Sequence, residues 1–126
     1  MFRILVVDDL QDSANTLALL LDQYGYETRV AYSGAEAILV STEFRPHVAI
    51  LDIRMADLDG VQAARMLSSQ HSHMRLVAVT GVPLPDWDER LTSAGFDAAL
   101  QKPVDPNRLI QVMRDLLRPG IPSRAG

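Results

Sequence analysis

Phe2-Arg3-Ile4-Leu5-Val6-Val7 runs directly into Asp8-Asp9. The run is too short for a helix, rich in β-branched residues, and without the polar alternation of a half-exposed strand. It reads as a strand buried on both faces. Three later runs repeat the design. Val48-Ala49-Ile50-Leu51 stops at Asp52, Leu76-Val77-Ala78-Val79 stops at Thr80, and Ala98-Ala99-Leu100 stops close to Lys102. Glu27-Thr28-Arg29-Val30-Ala31 is a fifth and more polar candidate.

Between these runs the apolar period becomes helical. Ala14, Leu17, Ala18, Leu21 and Tyr24 fall at the spacing of one helix face, a stripe suited to covering a sheet. Ser33 and Glu36, and again Asp86 and Glu89, have capping-box spacing, and Asp105-Pro106 offers an N-cap followed by proline at the first helical position. Arg45-Pro46, Gly95 and Arg118-Pro119-Gly120 mark helix ends. Strand and helix therefore alternate five times. The pattern predicts an α/β domain over residues 1–118, with a parallel sheet covered on both faces by right-handed crossovers, and a short flexible tail over 119–126.

The chain has 126 residues, room for one domain, and a chain of this size buries about two-thirds of its unfolded surface. Hydrophobic residues at 48% and charged residues at 22% argue against disorder and coiled coil. No apolar run approaches the ~20 residues of a membrane span. The start, with Arg3 as its one basic residue before Asp8, does not read as a secretory signal, so a cytoplasmic location is expected. The absence of cysteine excludes disulfides and thiol chemistry. Twelve basic against sixteen acidic residues give a net charge of −4, opposite to the footprint of a direct nucleic-acid binder. Lys102 is the single lysine.

In a parallel α/β sheet, ligands bind outside the carboxyl ends of the strands. Asp8, Asp9, Asp52, Thr80 and Lys102 all stop or follow strands, so they converge on one edge. Each alone could be a helix cap. Capping explains neither the adjacent pair Asp8-Asp9 nor a lysine before Pro103. Three carboxylates gathered together need cations, since two unit charges 4 Å apart cost about 4 kcal/mol at an effective dielectric near 20. Mg²⁺ suits such a set, because it is a hard ion that takes carboxylates and phosphate oxygens. Lys102 supplies a compact point charge. The chemistry indicated is phosphoryl transfer to a carboxylate, with the Thr80 hydroxyl donating to the phosphoryl group and Gly81 leaving the pocket open.

These residues lie in motifs that resemble the receiver domains of two-component response regulators: Ile4-Leu-Val-Val-Asp8-Asp9, Ala49-Ile-Leu-Asp52-Ile-Arg-Met, Asp59-Gly60, Val79-Thr80-Gly81 and Gly95-Phe-Asp-Ala-Ala-Leu-Gln-Lys102-Pro103. The resemblance covers residues 3 to about 118. It implies the flavodoxin-like doubly wound fold with strand order 2-1-3-4-5, and a cis bond before Pro103. By the same resemblance Asp52 is the phosphoacceptor, and Thr80 and Lys102 contact the phosphoryl group. Asp8, Asp9, Asp52 and the backbone carbonyl of Arg54 hold Mg²⁺. The implied partners are a histidine kinase or histidine phosphotransfer protein, docking near Leu10, Gln11 and Ala14, and an unidentified downstream protein or a second copy. The stretch from Gly95 looks most like single-domain or hybrid-kinase receivers.

Two positions depart from the family pattern. Ala56 stands where many receivers have proline, and Ala99 where many have an aromatic rotamer switch, so output is expected through Thr80, the loop from Gly81 to Pro85 and the helix after it, or through another face. A rival reading is also present. Asp57-Leu-Asp59-Gly-Val61 fits the nucleophile motif of haloacid-dehalogenase-type phosphatases, with Asp57 as nucleophile, although it lies five residues beyond a strand instead of at its end. His71-Ser72-His73 reads as a polar loop, and Trp87, Arg90 and Leu91 as either a partner surface or packing.

Overall fold

A computed structural model describes residues 1–54, 59–81 and 89–118. Five strands, β1 (Arg3–Val7), β2 (Glu27–Ala31), β3 (Val48–Asp52), β4 (Arg75–Thr80) and β5 (Ala98–Gln101), alternate with α1 (Gln11–Gln23), α2 (Gly34–Phe44), α3 (Gly60–Gln70), α4 (Glu89–Ala94) and α5 (Pro106–Leu117). All neighbouring strands are parallel, in the order β2-β1-β3-β4-β5. This is the expected doubly wound sheet.

Alternation along the strands divides the core in two. Leu5, Val7, Ala49, Leu51, Leu76 and Ala78 pack with α2, α3 and α4. Ile4, Val6, Ile50, Val77 and Val79 point to the other face and pack with α1 and α5. Every residue of β3 and β4 is buried. Each large aliphatic side chain buried in this way contributes about 1.5–3 kcal/mol. β2 lies at the edge, and its residues alternate in exposure, which accounts for its more polar sequence.

Local signals act where the sequence places them. Ser33 Oγ accepts from Glu36 N at 3.0 Å, and Asp105 caps α5 by accepting from Asn107 N at 3.1 Å. Arg45 closes α2 in the left-handed region, with φ 50°, and Gly95 follows α4 with φ 103°. The Lys102–Pro103 bond is cis.

Three boundaries differ from expectation. α1 ends at Gln23, so Tyr24 is its C-cap and is 49% exposed instead of covering the sheet. β1 begins at Arg3, although the Phe2 carbonyl before it still accepts from Glu27 N of β2 at 2.9 Å. β4 starts one residue earlier than its apolar run, at Arg75, whose guanidinium lies 3.9 Å from the Asp97 carboxylate. Asp97 also accepts from Leu76 N at 2.8 Å, so the partner that lets a buried arginine stand in a strand also anchors its backbone.

Among the described residues, no helix is long and apolar enough to cross a membrane. Ala56, Asp57, residues 82–88 with Asp86 and Trp87, and residues 119–126 lie outside the described residues.

Candidate functional site

β1 and β3 are neighbours, with Val7 opposite Leu51, so the acids following those two residues emerge side by side. Carboxylate oxygens of Asp8, Asp9 and Asp52 lie within 4.8 Å of one another. Asp8 and Asp52 are only 7% and 6% exposed, whereas Asp9 is open to solvent. The β4–β5 ladder brings in the remaining groups. Thr80 pairs with Gln101, and Lys102 N donates to the Thr80 carbonyl at 2.7 Å. The lysine side chain then reaches across the sheet edge, placing Nζ 2.6 Å from Asp52 Oδ2 and 3.8 Å from Asp8 Oδ2.

Each buried acid is also oriented by the backbone that follows it. Asp8 Oδ1 accepts from Leu10 N at 2.9 Å, and Asp52 Oδ1 accepts from Arg54 N at 3.0 Å. With both oxygens of Asp52 engaged, its carboxylate has a defined orientation at the end of β3.

Among the described residues, the three carboxylates face one ammonium, that of Lys102. Burial, followed by the nearby Asp52 charge and helped by Asp9, raises the Asp8 carboxyl above its ordinary value. The Leu10 N–H and Lys102 oppose the shift without cancelling it. Burial works the other way on Lys102, but its hydrogen bond to and charge contact with Asp52, with Asp8 and Asp9 behind, prevail and raise its pKa. The lysine is therefore charged at neutral pH, and the cluster still has capacity for a cation. Its donor set, all carboxylate oxygen, fits a hard divalent ion such as Mg²⁺.

Gly60 explains why the first turn of α3 can lie against this site. A methyl group at this position would stand 2.5 Å from Ile53 Cα and closer still to the Asp52 carbonyl oxygen. Asp59 caps the same helix, its side chain accepting from Gln62 N at 2.8 Å. From the acidic cluster a cleft of about 680 Å³ extends towards α1 and the start of α5, lined by Leu17, Leu20 and Val104.

The profile of the response regulator receiver domain matches residues 4–114. The chain belongs to that family. Over 116 residues this receiver is 26% identical to the polar-differentiation response regulator DivK of Brucella anthropi, spanning 90% of this chain and 94% of that protein. The solved chemotaxis response regulator CheY4 of Vibrio cholerae superposes with a TM-score of 0.85 at 25% identity, over 93% of this chain and 99% of that one. A two-component response regulator from Clostridium difficile reaches 0.88 at 23% identity, over 94% and 98% of the two chains, a likeness of fold. These relatives are signalling regulators, and the receiver assignment displaces the phosphatase reading. Asp59, the second acid of that motif, serves this receiver as a helix cap.

The fold thus brings together Asp8, Asp9, Asp52 and Lys102, with Thr80 buried at the end of β4 and Arg54 two residues after the end of β3. Ala99 sits opposite Ala78 and packs on the α2–α3–α4 side of the sheet. One surface expectation is corrected, and one open alternative is settled. Ala14 is 1% exposed, facing the sheet from α1, so only Leu10 and Gln11 of the expected docking residues are accessible. Leu91 is 2% exposed and belongs to the core. Sequence reasoning noted Gly60 only as part of a motif. Its steric role depends on the β3 backbone, which no local pattern reveals.

Proposed function

We propose that this receiver accepts a phosphoryl group on Asp52, with Mg²⁺ held by Asp8, Asp9, Asp52 and the backbone carbonyl of Arg54, and passes on the signal through protein contacts. The observation that carries the reading is the placement of Lys102 Nζ 2.6 Å from Asp52 Oδ2, beside a cluster of three carboxylates. The metal would supply charge neutralisation at the phosphoryl oxygens.

In the transfer, an Asp52 carboxylate oxygen forms a bond to phosphorus. The bond from phosphorus to the donor, a histidine imidazole nitrogen or an acyl oxygen, breaks, and its electron pair stays with the donor. Lys102 is close enough to follow the negative charge from the carboxylate to the phosphoryl oxygens. The hydrogen bond from Arg54 N keeps Asp52 oriented, and the Thr80 hydroxyl donates to a phosphoryl oxygen. The protein acts on its own side chain and not on a separate substrate, so it is a phosphoprotein in a relay and not an enzyme in the usual sense.

The donor is a histidine kinase or histidine phosphotransfer protein, and the receiver works in the cytoplasm as a stand-alone or hybrid-kinase type module. Its downstream target is a protein or a second copy, with no direct nucleic-acid or membrane contact. Net charge −4 and the acidic sheet edge support a protein partner over nucleic acid.

The test is intact-mass measurement after incubation with Mg²⁺ and acetyl phosphate. The wild type is expected to gain one phosphoryl group and Asp52→Asn none. Labelling of Asp52→Asn at the wild-type level, or no labelling of the wild type, overturns the proposal.

A further inference from the structure

At the opposite end of the sheet, where the strands begin, a pocket of about 360 Å³ is lined by Arg3, Arg45, His47, Gln70, His71 and His73 among others. Among the described residues, no carboxylate lines it, although the chain carries sixteen acidic residues and a net charge of −4. The chain has three histidines, and all three line this one pocket. We propose that this pocket is a second ligand site, which takes a small multivalent oxyanion of the size and charge of pyrophosphate.

Three separate parts of the chain build it. Arg3 opens β1 and donates through Nε to the carbonyls of Phe44, at 2.8 Å, and Arg45, at 3.0 Å. These bonds tie the guanidinium to the end of α2 and use none of its terminal nitrogens. Neither Arg3 nor Arg45 is paired with a carboxylate among the described residues. Arg3 N donates to His47 Nδ1 at 2.9 Å, so neutral His47 carries its proton on Nε2 and is a donor there. The Ser41 hydroxyl gives its proton to the Ile38 carbonyl, at 2.8 Å, so at its 3.2 Å contact with His71 Nε2 it accepts and that nitrogen is the donor.

The field in the pocket is positive. Burial first, then the charges of Arg3 and of the chain's N-terminal ammonium, hold His47 below the usual histidine value. Burial first, then Arg45, does the same to His71. An anion bound between the two arginines relieves that repulsion.

A metal site is the competing use of three histidines. Among the described residues, however, the only cluster whose ligand atoms converge within 4.8 Å is the acidic one at the other end. The volume lies near the lower limit of small-molecule pockets, about 300–1,000 Å³. Two arginines can each offer paired donors to phosphate-type oxygens. The site is independent of the acidic cluster. Five residue steps along the chain separate Arg3 from Asp8, about 16 Å at ~3.3 Å per residue, which is twice the ~8 Å Debye length at physiological salt.

The experiment follows the imidazole proton resonances while sodium pyrophosphate, sodium sulfate or, at equal ionic strength, sodium chloride is added to the full chain. Saturable shifts of the histidine resonances are expected with pyrophosphate and, more weakly, with sulfate, but not with chloride. Bound sulfate, dianionic throughout the range, is expected to raise the titration midpoints of His47 and His71. Arg45→Gln, an exposed position whose backbone carbonyl remains to receive Arg3, is expected to weaken pyrophosphate binding at least fivefold while leaving acetyl phosphate labelling unchanged. Arg45→Lys should recover part of the loss.

Linear shifts matching those of chloride, or saturation unaffected by Arg45→Gln, overturn the proposal. A glutamate-rich peptide that displaces pyrophosphate at lower concentration than pyrophosphate itself requires would assign the pocket to an acidic chain and also overturn it.

Discussion

At the carboxyl end of the strands, Asp8, Asp9 and Asp52 share one ammonium, that of Lys102. At the amino end, Arg3, Arg45 and three histidines line a pocket that has no carboxylate among its described lining residues, while Arg75 nearby is paired with Asp97. The same strands, β1, β3 and β4, run between the two ends. Parallel strands all begin on one edge and finish on the other, so residues just before strands gather at one edge and residues just after them at the other. The topology thereby turns a bias in chain position into two separated regions of opposite charge, although the net charge of the molecule is modest.

The two ends differ also in how their charges are offset, and that difference can be broken. Gly60→Ala is expected to do the most damage. Its methyl group meets backbone that cannot rotate away, so a loss near the upper part of the ~1–3 kcal/mol range for overpacking is expected in denaturant unfolding. Acetyl phosphate labelling at Asp52 should fall in parallel, while the histidine resonances at the other end stay in place. An unchanged melting temperature would show that α3 can withdraw without cost.

Divalent cation should distinguish the ends next. Mg²⁺ at 100 times its dissociation constant stabilises by about 2.7 kcal/mol through mass action. A rise in melting temperature with added Mg²⁺ is therefore expected, and Asp9→Ala should reduce it. Arg45→Gln should not alter it. Equal shifts in wild type and Asp9→Ala would remove Asp9 from the metal set.

Asp8→Asn sharpens the contrast at smaller amplitude. The carboxyl of Asp8 is raised in the folded state, so its favourable contribution is present below its unfolded value near 3.8 and is lost as pH rises through the folded value. At neutral pH without divalent ions, the ionised side chain therefore costs stability. Replacing it with an amide, which can keep the acceptor for Leu10 N, should stabilise by about 1 kcal/mol. That is well below the ~4 kcal/mol of an unscreened pair at 4 Å, because Lys102 offsets part of the repulsion. The gain should vanish below pH 4 and reverse in Mg²⁺. A destabilised apo Asp8→Asn protein at pH 7 would contradict the repulsion argument.

The smallest effect belongs to the amino end. His47 and His71 are lowered in the folded state, so their contribution is present above the unfolded value near 6.5 and is lost as pH falls through the folded values. A slight fall in stability on acidification below pH 6.5 is expected. It should be smaller in 50 mM sulfate than in chloride of equal ionic strength if an anion occupies the pocket. Urea midpoints at pH 7.5 and 5.5 would measure it, and identical midpoints would sever the link between these histidines and stability.

Much of this was legible in the chain because strand ends are abrupt. An apolar run that stops at an acid reports both the burial of the strand and the edge to which the acid belongs. Asp8, Asp52, Thr80 and Lys102 could thus be assigned to one edge before any coordinates. Tyr24 was misread because periodicity continues past a helix end, and the left-handed Gly25, with φ 91°, turns the chain there. Ala14 stands both in the sheet-covering stripe of α1 and near Leu10, and its burial follows the stripe, because helical periodicity and not proximity in sequence tells which way a helix faces. His47 went unconnected to His71 and His73. A signal was available, since His47 directly precedes β3 and His71 and His73 shortly precede β4, two strands whose mutual pairing brings their starts together.

Order and type of elements, the sheet class and the acidic edge follow from hydrophobic runs and their terminators, because burial and chain polarity act on each segment in its own place. Contacts between distant segments do not. The 2.6 Å approach of Lys102 to Asp52, the backbone wall that requires glycine at position 60, and the gathering of three histidines and two arginines around one pocket each join residues from separate elements. Such distances are set by strand register and by helix packing across the whole core, and no single segment carries that information.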